Sequence, residues 1–118
     1  MKSLSPPIEL LEQLDNNEFV LKTQQQIVRD FEKFNLFFEP LFLEIPLNKT
    51  YILEKIAEQL VQLMKEGESR LLQLLYTIDL SEKEFLDLTI QSNFLSLLSE
   101  KILVREAYKV FLRGKFNG

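Results

Sequence analysis

The sequence predicts an all-α protein: an irregular compact bundle of five to six helices, with an apolar, proline-containing connection at about residues 39–49. Three observations carry that expectation. Apolar residues recur at steps of three and four along most of the chain, the spacing that lines one face of a helix. Cap residues and helix breakers divide the pattern into separate elements. The only strand-like run is "LFLEI" at 41–45, which has no second strand to pair with except across a dimer.

In "SPPIELLEQL", Ser5 caps a first turn that tolerates Pro6, and Ile8, Leu11 and Leu14 fall on one face. The polar "DNN" at 15–17 ends or bends this element. From about 18 to 38, Val20, Gln24, Ile27, Phe31, Phe34 and Phe38 form one stripe, apolar except at Gln24. Glu39–Pro40 should terminate it, because a residue before proline is pushed out of the helical region.

The next stretch belongs to "NLFFEPLFLEIPLN" (35–48), which has eight large apolar side chains, two prolines and two glutamates. It is too apolar for an ordinary solvated linker. Its second half cannot be a long helix, because Pro46 lacks an N–H and favours an extended Ile45. Asn48 or Thr50 then caps "YILEKIAEQLVQLMKEG", where Leu53, Ile56, Leu60 and Leu63 face one way, with Ile52 and Met64 widening the stripe. Gly67 suits the left-handed position that closes a helix.

"ESRLLQLLYTID" restarts with Leu71, Leu74, Leu75 and Ile78. Ser81 and Glu84 then form a capping box, with Leu80 and Phe85 as its hydrophobic staple. The short "EKEFLDLTI" is broken by "QSN". The last helix, about 93–113, is capped by Ser92 or Asn93 and closed by Gly114. Phe94, Leu97, Leu98, Ile102, Val104, Tyr108 and Phe111 cover more than half its circumference, so it must be touched on two sides.

The totals fit one helical domain over residues 1–118, with 46% hydrophobic residues and ten phenylalanines for a core. No run is long and apolar enough for a membrane span, and "MKSLSPPIELLEQ" does not read as a signal peptide. The chain has no cysteine and no histidine. Thiolate chemistry, the commonest general base and the commonest metal ligand are therefore absent, which argues against an enzyme and fits a cytoplasmic protein. No catalytic, cofactor-binding or metal-ligating residue is assigned. Glu54 and Glu58 share a helical face, but a di-iron bundle also needs Glu-x-x-His pairs. A solvated face is the simpler reading. Tyr51, Tyr76 and Tyr108 are assigned to packing.

The net charge is −4 and uneven. Residues 101–118 carry Lys101, Arg105, Lys109, Arg113 and Lys115 against Glu106 alone, a balance of +4. Nucleic acid is a poor partner for so acidic a body. Lys101, Arg105, Lys109 and Arg113, at steps of four, form a candidate row for an anionic partner. The alternative is that they serve the helix dipole and pair with acids of the same domain.

"ESRLLQLLYTIDLSEKEF" and "ILVREAYKVFLRGKF" resemble a pattern in short uncharacterised all-helical bacterial proteins, over about residues 50–118. The resemblance implies a bacterial, soluble helical protein and carries no activity with it.

Two functions are compatible with these residues. One is an interaction module or subunit, homodimeric in one version, with Phe37, Phe38, Leu41, Phe42 and Leu43 as candidate partner contacts. The other is a small-molecule-binding protein or enzyme with an apolar pocket between helices. For the apolar connection itself, internal burial is the base expectation, a dimer or partner contact comes second, and insertion into a membrane surface is disfavoured by Glu39 and Glu44.

Overall fold

Three of the longer helices begin at a side chain that accepts one of their own unpaired N–H groups. Asn16 accepts from Phe19 at 3.0 Å. Asn48 accepts from Tyr51 at 2.8 Å. Ser81 accepts from Glu84 at 3.1 Å, and the Glu84 carboxylate accepts the Ser81 N–H at 3.0 Å, completing the capping box. Its staple is also made, since Leu80 and Phe85 are buried in the same core.

The computed structural model describes residues 8–117. In order the elements are α1 (Ile8–Gln13), α2 (Asn17–Glu32), α3 (Leu41–Glu44), α4 (Lys49–Met64), α5 (Glu68–Thr77), α6 (Glu82–Thr89) and α7 (Phe94–Asn117). Six are helices of at least six residues, and α3 is a single turn. The described residues contain no strand, and no helix among them is long and apolar enough to cross a membrane. The cap predicted at Ser5 and Pro6 lies outside the described residues. In α1 Leu10 is buried, and Leu14, just beyond its end, packs at the edge of the same cluster; the Ile8 and Leu11 side chains lie outside the described residues.

Several boundaries differ from the sequence expectation. Helix α2 stops at Glu32, well short of Glu39–Pro40. The cause is Asn35, which adopts a left-handed φ of +60°. The Leu36 N–H then returns to the Phe31 carbonyl at 3.2 Å and the Asn35 N–H to Glu32 at 3.0 Å. This is the Schellman pattern, with Leu36 buried on the same core as Phe31. Asp79, at φ +63°, closes α5 in the same way: Leu80 returns to Leu75 and Asp79 to Tyr76. Gly67 has a φ of +114°, which only glycine adopts readily, and sits at the N-cap of α5. Gly114 does not end α7, which continues to Asn117. A glycine inside a helix costs about 1 kcal/mol relative to alanine but does not break it. "LFLEI" forms the turn α3 followed by an extended Ile45, and Met64 points to solvent rather than to the core.

Helix α7 is central. It packs against α2 and α4 most extensively, and also against α6 and α1, as its wide apolar arc requires. The main core takes Ile27 and Phe31 from α2, Phe42, Ile56 and Leu60 from α3 and α4, Leu74 and Leu75 from α5, and Leu98 and Ile102 from α7. A smaller cluster of Leu10, Phe19, Ala107 and Val110 joins α1 to the start of α2 and the far end of α7. The radius of gyration is 13.7 Å, against about 13.5 Å for a folded domain of this length.

Candidate functional site

The apolar connection between α2 and α4 is fastened by glutamines. Gln24, the polar exception in the α2 stripe, is fully buried. Its Nε2 donates to the Phe42 carbonyl at 3.1 Å and the Ile45 carbonyl at 2.9 Å, and its Oε1 accepts the Leu47 N–H at 2.8 Å. One amide thus satisfies three backbone groups that Pro40 and Pro46 keep out of any longer helix or sheet. Gln25 donates to the Leu43 carbonyl at 3.1 Å, and Gln59 of α4 donates to the Phe37 carbonyl at 2.8 Å.

Held in this way, the connection has two faces. Phe42 is fully buried, and Phe38 stacks between it and Phe31, with ring centroids 4.5 and 5.3 Å away. Phe37 is 64% exposed, Leu41 41%, Leu43 47% and Ile45 46%. Of the five candidate contacts named from sequence, Phe38 and Phe42 therefore belong to the core side, and Phe37, Leu41 and Leu43 to the solvent side. Glu39 and Glu44 are exposed among them, and neither forms an ion pair among the described residues.

The basic row of α7 divides along its length. Lys101 approaches Glu84 at 3.8 Å, and the Arg105 guanidinium lies over the Tyr108 ring at 5.4 Å. Lys109 turns inward, donating to Asp30 Oδ2 at 2.7 Å and to the Thr77 carbonyl at 3.2 Å. Arg113 donates to Gln26 Oε1.

Lys109 and Arg113 thereby enter a polar network in the α2–α7 interface. Asp30 is buried and accepts from Lys109, from Gln26 Nε2 at 3.2 Å and from Lys33 at 3.4 Å. Burial alone would raise its pKa. Hydrogen bonds from Glu106, Lys109 and Gln26 outweigh that and hold it below the ordinary range. Glu106 is fully buried, with the Lys109 ammonium 3.7 Å from its Oε1. Burial, reinforced by the neighbouring Asp30, pushes its pKa up to about 9. As a carboxylate, Glu106 would leave both oxygens without a hydrogen-bond partner; a proton on it supplies a donor aimed at Asp30. The two carboxyl groups of this interface are thereby shifted in opposite directions.

On the outer side of this network lies a groove of about 790 Å³ between α2 and the end of α7. Phe19, Val110 and Phe111 give it an apolar wall, and Lys22, Arg29, Arg113 and Lys115 line it with positive charge. Its described lining contains no carboxylate.

Periodicity overlooked these buried polar residues, although one signal was present. Ile102, Glu106 and Val110 stand at steps of four, so Glu106 occupies a core position of α7. Glu54 and Glu58 are exposed, the latter 3.5 Å from Lys55. Tyr51 and Tyr108 pack at core edges and Tyr76 is exposed. Comparison with family models, with curated proteins and with solved structures finds no match to this chain.

Proposed function

We propose that the protein is a small helical interaction module that docks a protein partner on the outward face of residues 37–45. One observation carries this reading: four large apolar side chains within nine positions face solvent on a backbone fixed by three glutamine side chains. The fastening satisfies backbone groups of the fold, and it also lets a docking surface arrive already ordered.

The exposed Glu39 and Glu44 favour a partner that surrounds an apolar contact with lysine or arginine. A second copy of the chain fits less well, because two-fold pairing of this face would bring four glutamates together without a cation. The cysteine-free composition suits a cytoplasmic setting.

Site-specific photocrosslinking in the cells that make the protein tests the proposal. A photoreactive residue at Phe37 or Ile45 should give a discrete adduct with one other protein, attached beside basic residues of that partner. The same probe at Ile90, which is 83% exposed at the C-cap of α6, should not. Adducts of equal yield at all three positions, or an adduct only with a second copy, would refute the docking surface as stated.

A further inference from the structure

The Gln26 side chain is buried, and its orientation is fixed from behind. Asp30, an ionised acceptor, takes the Gln26 Nε2 hydrogen at 3.2 Å while Lys109 anchors Asp30 at 2.7 Å. The amide oxygen must therefore face the opposite way, toward the groove that Gln26 also lines. Two guanidinium groups converge on that single oxygen: Arg29 at 3.4 Å, and Arg113 in closer contact. Among the described residues neither arginine has a carboxylate partner. One neutral amide oxygen cannot balance two positive charges, and in a chain of net charge −4 this concentration of cations is local.

We infer that the groove is a binding site for a small phosphorylated molecule, with its phosphate on Arg29 and Arg113 and its apolar body against Phe19, Val110 and Phe111. Guanidinium forks match a tetrahedral oxyanion, and several cations together suit a group carrying close to two negative charges. The groove's volume of about 790 Å³ lies in the range of small-molecule pockets. Lys22 and Lys115 border the site. Lys22 also pairs with Glu18 at 3.3 Å, and the Lys115 ammonium lies over the Phe111 ring at 5.8 Å. Gln26 is a positioning residue, since it gathers the two guanidiniums without carrying charge. The groove takes no residue from the docking face at 37–45, although Gln25, which holds the Leu43 carbonyl, also lines it.

Calorimetric titration of the full chain with pyrophosphate, phenyl phosphate and ADP tests the inference. At least one of the two organic phosphates should bind saturably and more tightly than pyrophosphate, because only these carry an apolar body. Arg29→Gln and Arg113→Gln should each weaken that binding roughly tenfold or more. Lys83→Gln, on exposed α6, should leave it unchanged. Gln26→Leu, checked for folding by its thermal melt, should also weaken binding although no charge is lost. Absence of saturation by every probe at millimolar concentration would overturn the inference. So would equal affinity in the wild type and both arginine variants, or tighter binding of a single-stranded oligonucleotide than of any small probe.

Discussion

Glu106 stands four residues after Ile102 and four before Val110, so the helix that buries those two buries it as well. Its pKa of about 9 means that the folded protein keeps a proton which the unfolded chain, with an ordinary value of 4.5, has released. Between those two values its contribution to stability falls as pH rises, by up to about 1.4 kcal/mol per pH unit. Asp30 acts in the opposite sense and elsewhere: its lowered pKa means that stability is lost as pH falls through and below 3.8. Glu106→Gln keeps the shape and removes the titration. Urea midpoints measured between about pH 5 and pH 8.5 should show the variant gaining on the wild type as pH increases. Parallel curves for the two proteins would show that Glu106 does not keep its proton. The partners in this network lie far apart in sequence, with Asp30 and Lys109 separated by 79 residues. A reading of local spacing cannot pair them, which is why Lys109 appeared there as a member of a surface row.

The starts of α4 and α6 were legible, whereas the end of α2 and the opening of α5 at Gly67 were not. A cap is written within four residues: Ser81–Glu84 forms as the sequence indicates, and of the two candidates Asn48 and Thr50 it is Asn48 that caps α4. The ends of α2 and α5 depend on Asn35 and Asp79 taking left-handed backbone. Either residue tolerates that conformation and neither demands it, so the signal is weak. The connection at about 39–49 was legible as apolar and as no long helix, yet its two faces were not. Which phenylalanine turns inward follows from the carbonyls that Gln24, Gln25 and Gln59 hold, and these contacts span 18 to 23 residues. Substitution separates the faces directly. Phe42→Ala should cost about 3–5 kcal/mol, whereas Phe37→Ala should stay within about 0.5 kcal/mol of wild type. Chemical denaturation reads both. Comparable losses would mean that residue 37 is also part of the core.

For the whole molecule, the all-α class was visible in periodicity, because burial of amphipathic faces dominates the fold. The division of α7 among neighbours was visible only as the width of its apolar arc. What periodicity could not anticipate is the use of buried polar groups: Gln24 holds the connection in place, and Gln26, Asp30, Glu106 and Lys109 occupy the seam between α2 and α7. Both sets include residues of α2, and Gln25 of that helix both holds the Leu43 carbonyl of the connection and lines the groove. The docking face accordingly requires the connection to be a fixed platform rather than a loose loop.

Amide hydrogen exchange at Leu47 measures that property most directly. Its N–H ends on the buried Gln24 Oε1 at 2.8 Å, although Leu47 belongs to no helix. It should exchange with protection comparable to the buried turns of α4 and lose that protection in Gln24→Leu, while the amides of α7 retain theirs. Exchange of Leu47 in the wild type at the rate of an unstructured peptide would contradict the account.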